Sequence, residues 1–278
     1  MTENSLAGCE ALVRQHDPDR YYAALFAPAA KRPLLFALYA FNYEIARVAE
    51  HVREPMLGEM RLEWWREMVE SARKGEPIAH DVARGLAFLF RQTGLALSEI
   101  DTMLEARATH TGTEPIASIE ALEGYADATS GALMRLALRI LGAGGAHDAL
   151  AHEAGIAYAL AGLLRALPFH AAQRRLYLPQ SLLAEFGLTR EEIFEGRGGE
   201  KLKRAMRWLA ERAGNRLASA RRRPRPRKFV VAVLPATLVP LYLKPVMWRG
   251  FEPYRTRIEV PLARRQWRLL HAALRGRI

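Results

Sequence analysis

The chain has 278 residues, half of them hydrophobic, enough to bury a sizeable core. Its 41 lysines and arginines outnumber 30 aspartates and glutamates, so a formal charge of +11 draws anions: nucleic acid, anionic lipid or phosphorylated ligands. The single cysteine, Cys9, excludes an intrachain disulfide and a cysteine-rich zinc site, and fits a reducing compartment.

The opening stretch, "MTENSLAGCEALVRQHDPDR", is polar and acidic. It lacks the basic start and apolar run of a secretory signal and the arginine richness of a transit peptide, and it reads as mature sequence. Within it Leu6, Cys9, Leu12 and Val13 share one helical stripe. The next segment, "PAAKRPLLFALYAFNYEIARVAEHVRE", keeps apolar residues at helical spacing through Leu35, Leu38, Phe41, Ile45, Val48 and Val52. Further helices are predicted over 58–74, 80–92, 97–109, 118–141, 146–167, 201–220, 232–248 and 262–275.

Turn residues punctuate these segments at "REP", "KGEP", "TGTEP", "GAGG" and "EGRGGE". No alternating β-branched stretch exceeds "RIEV". The pattern predicts an all-α protein, one domain over 1–278 built from about ten helices.

Three stretches carry a structural and a functional reading. In "LEWWREMVE" the adjacent Trp64 and Trp65 lie about 100 degrees apart on a helix, which puts at least one in the core and leaves the other for the core, a lipid tail or a partner. The apolar run "FVVAVLPATLVPLYL" is shorter than the roughly 20 residues that span a bilayer. With Pro235 and Pro240 inside it, it reads as a buried, kinked core helix, or else as an element that dips into a membrane. The run "RRRPRPRK" at 221–228 is a solvated connection or a contact for anionic lipid or nucleic acid. No aromatic residue is interleaved with its arginines, which argues against nucleic acid.

Familiar catalytic signatures are missing: the sequence has no Gly-rich phosphate loop, no His-Glu-x-x-His and no serine-centred elbow. "GAGG" follows a helix and reads as its terminating turn. Asp101, Glu105, His110 and Asp127 match no metal-ligand spacing, and the first two read as a solvated helix face.

In order along the chain, "YYAALFAPAAKRPLLFALYAFNYEIARVAEHV", "RLEWWREMVE", "LEGYADATSGALMRLALRILG", "AGIAYALAGLLRALPFHAAQRRLYLPQSLL" and "PLYLKPVMWRGFEPYRTRIEVP" resemble the squalene/phytoene synthase family, over roughly residues 19–270. The resemblance implies a single-domain, all-α isoprenoid synthase fold with a central cavity. It also implies, in active members, two facing helices whose aspartates hold magnesium ions around a prenyl diphosphate. Acids at i and i+4 share a helix face, and magnesium takes hard oxygen ligands.

Aligned on "YAF", the first motif falls on Ala46, Arg47 and Glu50, of which only Glu50 is acidic. Glu44 lies two residues from Ala46, about 200 degrees around the helix. The second motif aligns on Arg165 and on Tyr177 of "YLP", and it places Ala166 and His170 where aspartates belong and Phe169 where glutamate is common. Neutral imidazole prefers softer metals than magnesium, so condensation chemistry is expected to be absent or crippled. No catalytic or metal-ligating residue is assigned.

The residues expected to contact a ligand are Arg32, Tyr39, Glu50, Arg165, His170, Arg174, Arg175 and Tyr177. Arg165 either binds an anion together with Arg174 and Arg175 or pairs with an acid from another helix. His170 is either a ligand or a core histidine.

A narrower resemblance rests on Asn42, Glu44, Ala46, Arg165, Ala166, Pro168, His170, Arg174 and Arg175. It points to the branch of the family represented by mitochondrial respiratory complex I assembly factor 6. That branch implies a non-catalytic role in building complex I, with no cofactor and with complex I subunits or assembly intermediates as partners. The basic surface would hold the chain peripherally on an anionic membrane. That membrane would be the cytoplasmic face of a bacterial inner membrane, or the matrix side for a mature eukaryotic form. The alternatives are a magnesium-dependent trans-prenyltransferase that condenses prenyl diphosphates and a carrier of isoprenoid or other lipid.

Overall fold

Stripes of apolar residues at helical spacing are buried only when helices pack stripe to stripe, and the chain does this with helices alone. The computed structural model describes residues 3–48, 54–76, 78–109 and 115–278, and no strand occurs among them. The first half contains α1 (Glu3–His16), α2 (Pro18–Ala24), α3 (Arg32–Ala46), α4 (Pro55–Lys74), α5 (Asp81–Thr93), α6 (Ser98–Ala108), α7 (Ile119–Ala126) and α8 (Ala132–Ile140). The second half contains α9 (Asp148–Ala172), α10 (Gln180–Glu185), α11 (Arg190–Phe194), α12 (Gly199–Arg222), α13 (Val230–Val233), α14 (Val239–Met247) and α15 (Leu262–Arg275).

The long helix α9 is central and packs along α12, with α8 and α14 against other faces. On the other side α1, α3 and α5 pack together, and α4 lies against α5. Trp65 is fully buried, with Trp64 partly buried beside it, and both rings meet His80 edge to face.

Where the structure departs from a predicted helix, a structural cause is visible. The stretch 118–141 divides into α7 and α8 around a π-helical turn, Asp127–Gly131. Thr129 donates its hydroxyl to the Tyr125 carbonyl there, and Gly155 of α9 crosses so closely that a Cβ on it would stand 2.4 Å from the Gly131 Cα. The stretch 146–167 instead runs on to Ala172 through Pro168. Proline inside a helix costs about 3 kcal/mol, and the burial of Leu164, Leu167 and Ala171 around it offsets that cost.

The apolar run near 229–243 is buried, as a core element should be, but it breaks rather than kinks. It forms α13, a 3-10 segment Leu234–Leu238, then α14. Pro235 and Pro240 each occupy the first turn of a new segment, where no backbone donor is needed. Residues 145–172 and 227–247 are long and apolar enough to cross a membrane, yet 56% and 78% of their most apolar windows are buried inside the protein.

A charged clamp joins α7, α9 and α12. Glu123 is buried and accepts from Arg212 at 2.8 and 2.9 Å and from Arg216 at 2.9 Å, and Arg216 also reaches Glu153 at 3.2 Å. Burial raises the Glu123 carboxyl, but the two guanidinium groups outweigh it and hold it at about 2, below its ordinary 4.5. Because the folded value lies below the unfolded one, the clamp stabilises fully above pH 4.5 and fades as pH falls towards 2. Glu123→Gln is expected to cost about 3 kcal/mol at neutral pH and to flatten the fall in stability across that acid window, read by urea denaturation at stepped pH.

Candidate functional site

The α2 helix begins with a cap that organises a polar cavity. The Asp17 carboxylate accepts from the Arg20 backbone at 3.2 Å and from its guanidinium at 2.7 Å, with Pro18 in the first turn. This turn directs Asp19 inward, where it is 3% exposed. Asp19 accepts from the Tyr158 hydroxyl of α9 at 3.0 Å, from the Tyr242 hydroxyl of α14, and from Arg265 of α15 at 2.7 Å.

Around these groups lies a cavity of about 220 Å³, lined also by His16, Gly162 and Arg165. Tyr158, Gly162 and Arg165 fall at i, i+4 and i+7 on α9, one face of the helix. Arg165 is exposed, and its guanidinium lies 4.7 Å from the centre of the Tyr242 ring. Arg20 lies over the Tyr158 ring at 4.9 Å and the Tyr39 ring at 6.0 Å.

Three guanidinium groups face two carboxylates here, and both carboxylates are ion-paired, Asp17 with Arg20 and Asp19 with Arg265. No ion pair joins Arg165 to a described acid, so the cavity carries one uncompensated positive charge. Burial and the Asp19 charge push the Tyr158 and Tyr242 phenols up, so both stay protonated donors. The arrangement suits an anion.

His170, Arg175 and Tyr177 gather elsewhere, around a void of about 10 Å³ closed by Leu163, Leu164, Leu167, Leu176, Leu178 and Leu209. That volume holds about one water at most. The His170 ring lies 4.9 Å from the Tyr177 ring, and burial, then Arg175, pushes it down to about 4. A neutral, packed imidazole fits the core reading.

The sequence grouped Arg174 and Arg175 with Arg165, and the structure separates them. Arg174 ends α9 in a left-handed conformation, φ 56°, turns outward and makes two 2.8 Å bonds to Glu191, with its guanidinium 5.0 Å from the Phe194 ring. Arg32 donates to the Ala27 carbonyl at 3.0 Å as α3 begins. Of the expected contacts, Arg165 reaches the polar cavity, and Tyr39 stands behind Arg20. Glu50 and His110 lie outside the described residues.

Sequence reading missed Asp19, Arg20, Tyr158, Tyr242 and Arg265. The Asp19 partners stand 139, 223 and 246 positions away, and only the Asp-Pro cap at the start of α2 leaves a local trace. The donors present do not fit magnesium. The acids at the cavity are committed to arginine or tyrosine, the aligned motif positions include Ala46, Arg47, Ala166 and His170, and no group of three metal-ligating side chains exists among the described residues.

A model of the squalene/phytoene synthase family matches residues 13–266. The chain belongs to the squalene/phytoene synthase family. The bovine protein named NADH dehydrogenase (ubiquinone) complex I, assembly factor 6 is 29% identical over 254 residues, covering 90% of this chain and 76% of the bovine one. Its human counterpart is 30% identical over 214 residues, covering 77% and 64%. A crystal structure of a dehydrosqualene synthase superposes with a TM-score of 0.82 at 17% identity, covering 98% and 96% of the two chains, and shows the shared fold.

Two outcomes test this geometry within the squalene/phytoene synthase fold. Asp19→Asn should lower stability by about 3 kcal/mol by stranding the Arg265 charge, whereas Tyr242→Phe should cost about 1 kcal/mol, both read by chemical denaturation. The folded His170 value lies below the ordinary 6.5, so protonation favours the unfolded chain and stability falls as pH drops from 6.5 towards 4. His170→Leu should remove that slope, worth about 3 kcal/mol by pH 4.

Proposed function

We propose that this chain is a non-catalytic member of the squalene/phytoene synthase family that acts in assembling respiratory complex I. The observation that carries the reading is the match over 90% of the chain to a protein named for that role. The site chemistry supports it. Ionisation of an allylic diphosphate depends on metal charge neutralising the leaving group. Asp17 and Asp19 are held by arginines, and alanine and histidine occupy the second motif.

On this reading the chain works without magnesium and meets complex I subunits or assembly intermediates. It does so from the cytoplasmic face of a bacterial inner membrane, or the matrix side in a eukaryotic setting. Its basic surface holds it to anionic lipid. The polar cavity, with its spare Arg165 charge, favours a second, compatible role: holding the anionic end of an isoprenoid or other lipid without reacting it.

Deletion in the native host is expected to lower assembled complex I, measured on native gels, while squalene and carotenoids stay unchanged; normal complex I removes the assembly role. Purified protein incubated with farnesyl or geranylgeranyl diphosphate and magnesium should release no condensation product, and turnover would establish a trans-prenyltransferase instead.

A further inference from the structure

The charge of this chain is unevenly placed. No aspartate or glutamate occurs from 212 to 251 or from 260 to 278, and the structure packs these two acid-free runs together. The α15 helix lies on the Leu234–Leu238 segment, where Arg268 donates to the Thr237 carbonyl at 3.2 Å. Arg221 donates to the Ile278 carbonyl at 3.0 Å, and Arg227 donates to that of Leu274. The basic loop at 221–228 is thereby seated against the C-terminal end of α15.

Most of these cations have no internal counterion. Among the described residues, Arg222, Arg225, Arg227 and Lys228 form no ion pair with a side chain, and only Arg223 of this loop reaches an acidic side chain, Glu153, at 4.0 Å. Arg264, Arg275 and Arg277 are exposed and likewise form none. Burial, then the neighbouring cations Arg268 and Arg225, lowers the Arg221 value.

Beside this charge runs an apolar stripe. The α15 helix buries Leu269 and Ala272, whereas Trp267, Leu270 and Leu274, at i, i+3 and i+7, face away from them. Trp267 is 69% and Leu274 63% exposed. A tryptophan and two leucines on one outer helix face, flanked by unpaired arginines, have the composition of a helix lying in a membrane interface.

We infer that the outer face of α15 docks on an anionic bilayer. Trp267, Leu270 and Leu274 enter the boundary between head groups and acyl chains, while the 221–228 loop, Arg264, Arg275 and Arg277 sit over the anionic head groups. Nucleic acid would use the cations but leave the stripe in water, and a second copy of this chain would bring like charge against like. An anionic bilayer satisfies both features at once.

This inference supplies the surface for the membrane attachment proposed above, and the two fail separately. Vesicle binding with normal complex I in the deletion strain leaves the dock and removes the assembly role; a complex I defect without vesicle binding does the reverse.

The test is flotation of the full chain with vesicles of phosphatidylcholine alone or with about 30% phosphatidylglycerol, at about 0.1 M salt. Binding to the anionic vesicles should exceed that to neutral ones at least tenfold. The double variant Trp267→Glu/Leu274→Glu should lose at least tenfold in binding with its circular dichroism and Tm unchanged. Trp267→Phe should still bind but lose most of the blue shift in tryptophan emission that vesicles induce. Replacing Arg222, Lys228, Arg275 and Arg277 by glutamine should weaken binding and reduce its dependence on salt. The inference is overturned if the wild-type chain ignores anionic vesicles, if the double variant binds like wild type, if duplex DNA strips the chain from vesicles, or if Trp267 instead closes a dimer that Trp267→Glu dissolves.

Discussion

The Asp19 carboxylate is the point on which distant parts of the chain converge. Burying a carboxylate costs several kcal/mol unless its oxygens are met by donors, and Asp19 is met by Tyr158, Tyr242 and Arg265. Those donors come from α9, α14 and α15, so one charge ties the N-terminal α2 to the central helix and to the C-terminal one. The cavity inherits its character from this contact. With its hydroxyl committed to Asp19, Tyr242 offers its ring face to Arg165, which then keeps its charge without an acid.

The same accounting separates this chain from the chemistry of its family. A magnesium cluster needs carboxylate oxygens that are free, close together and aimed into a common space. In this fold the acids serve cohesion: Asp17 anchors Arg20, Asp19 anchors Arg265, and Glu123 and Glu153 clamp α12 through Arg216. His170 illustrates the other half of the change. Burial among leucines, with Arg175 beside it, holds this imidazole near pKa 4, so it is neutral and packs there without a charge of its own.

Much of the fold was legible because helices announce themselves through spacing. The stripe through Leu35, Leu38, Phe41 and Ile45 is buried as its period requires, and the absence of alternating runs foretold an all-α protein. What was hidden depended on contacts across the chain. The π turn at Asp127–Gly131 accompanies Gly155 crossing from another helix, which no local pattern encodes. Prolines at 235 and 240 signalled disruption, but whether they would kink or break the helix depended on their falling in first turns. Arg165 was legible through its motif. Its partner Tyr242 was not, and Arg174, nine residues on and itself left-handed just past the end of α9, turns to Glu191.

Helix α15 shows how surface and cavity meet in one element. Its inner side carries Arg265 to Asp19, and its outer side exposes Trp267, Leu270 and Leu274. A helix is about 10 Å across, so the polar cavity lies roughly one helix diameter from the exposed stripe. Charge acts over a Debye length, about 10 Å at 0.1 M salt, whereas apolar burial acts only at contact. The acid-free runs therefore set the orientation in which this face approaches a negative surface, and the stripe sets the depth at which it stops. Both depend on α15 being held in place, by the burial of Leu269 and Ala272 and by Arg265, which meets the buried Asp19 carboxylate.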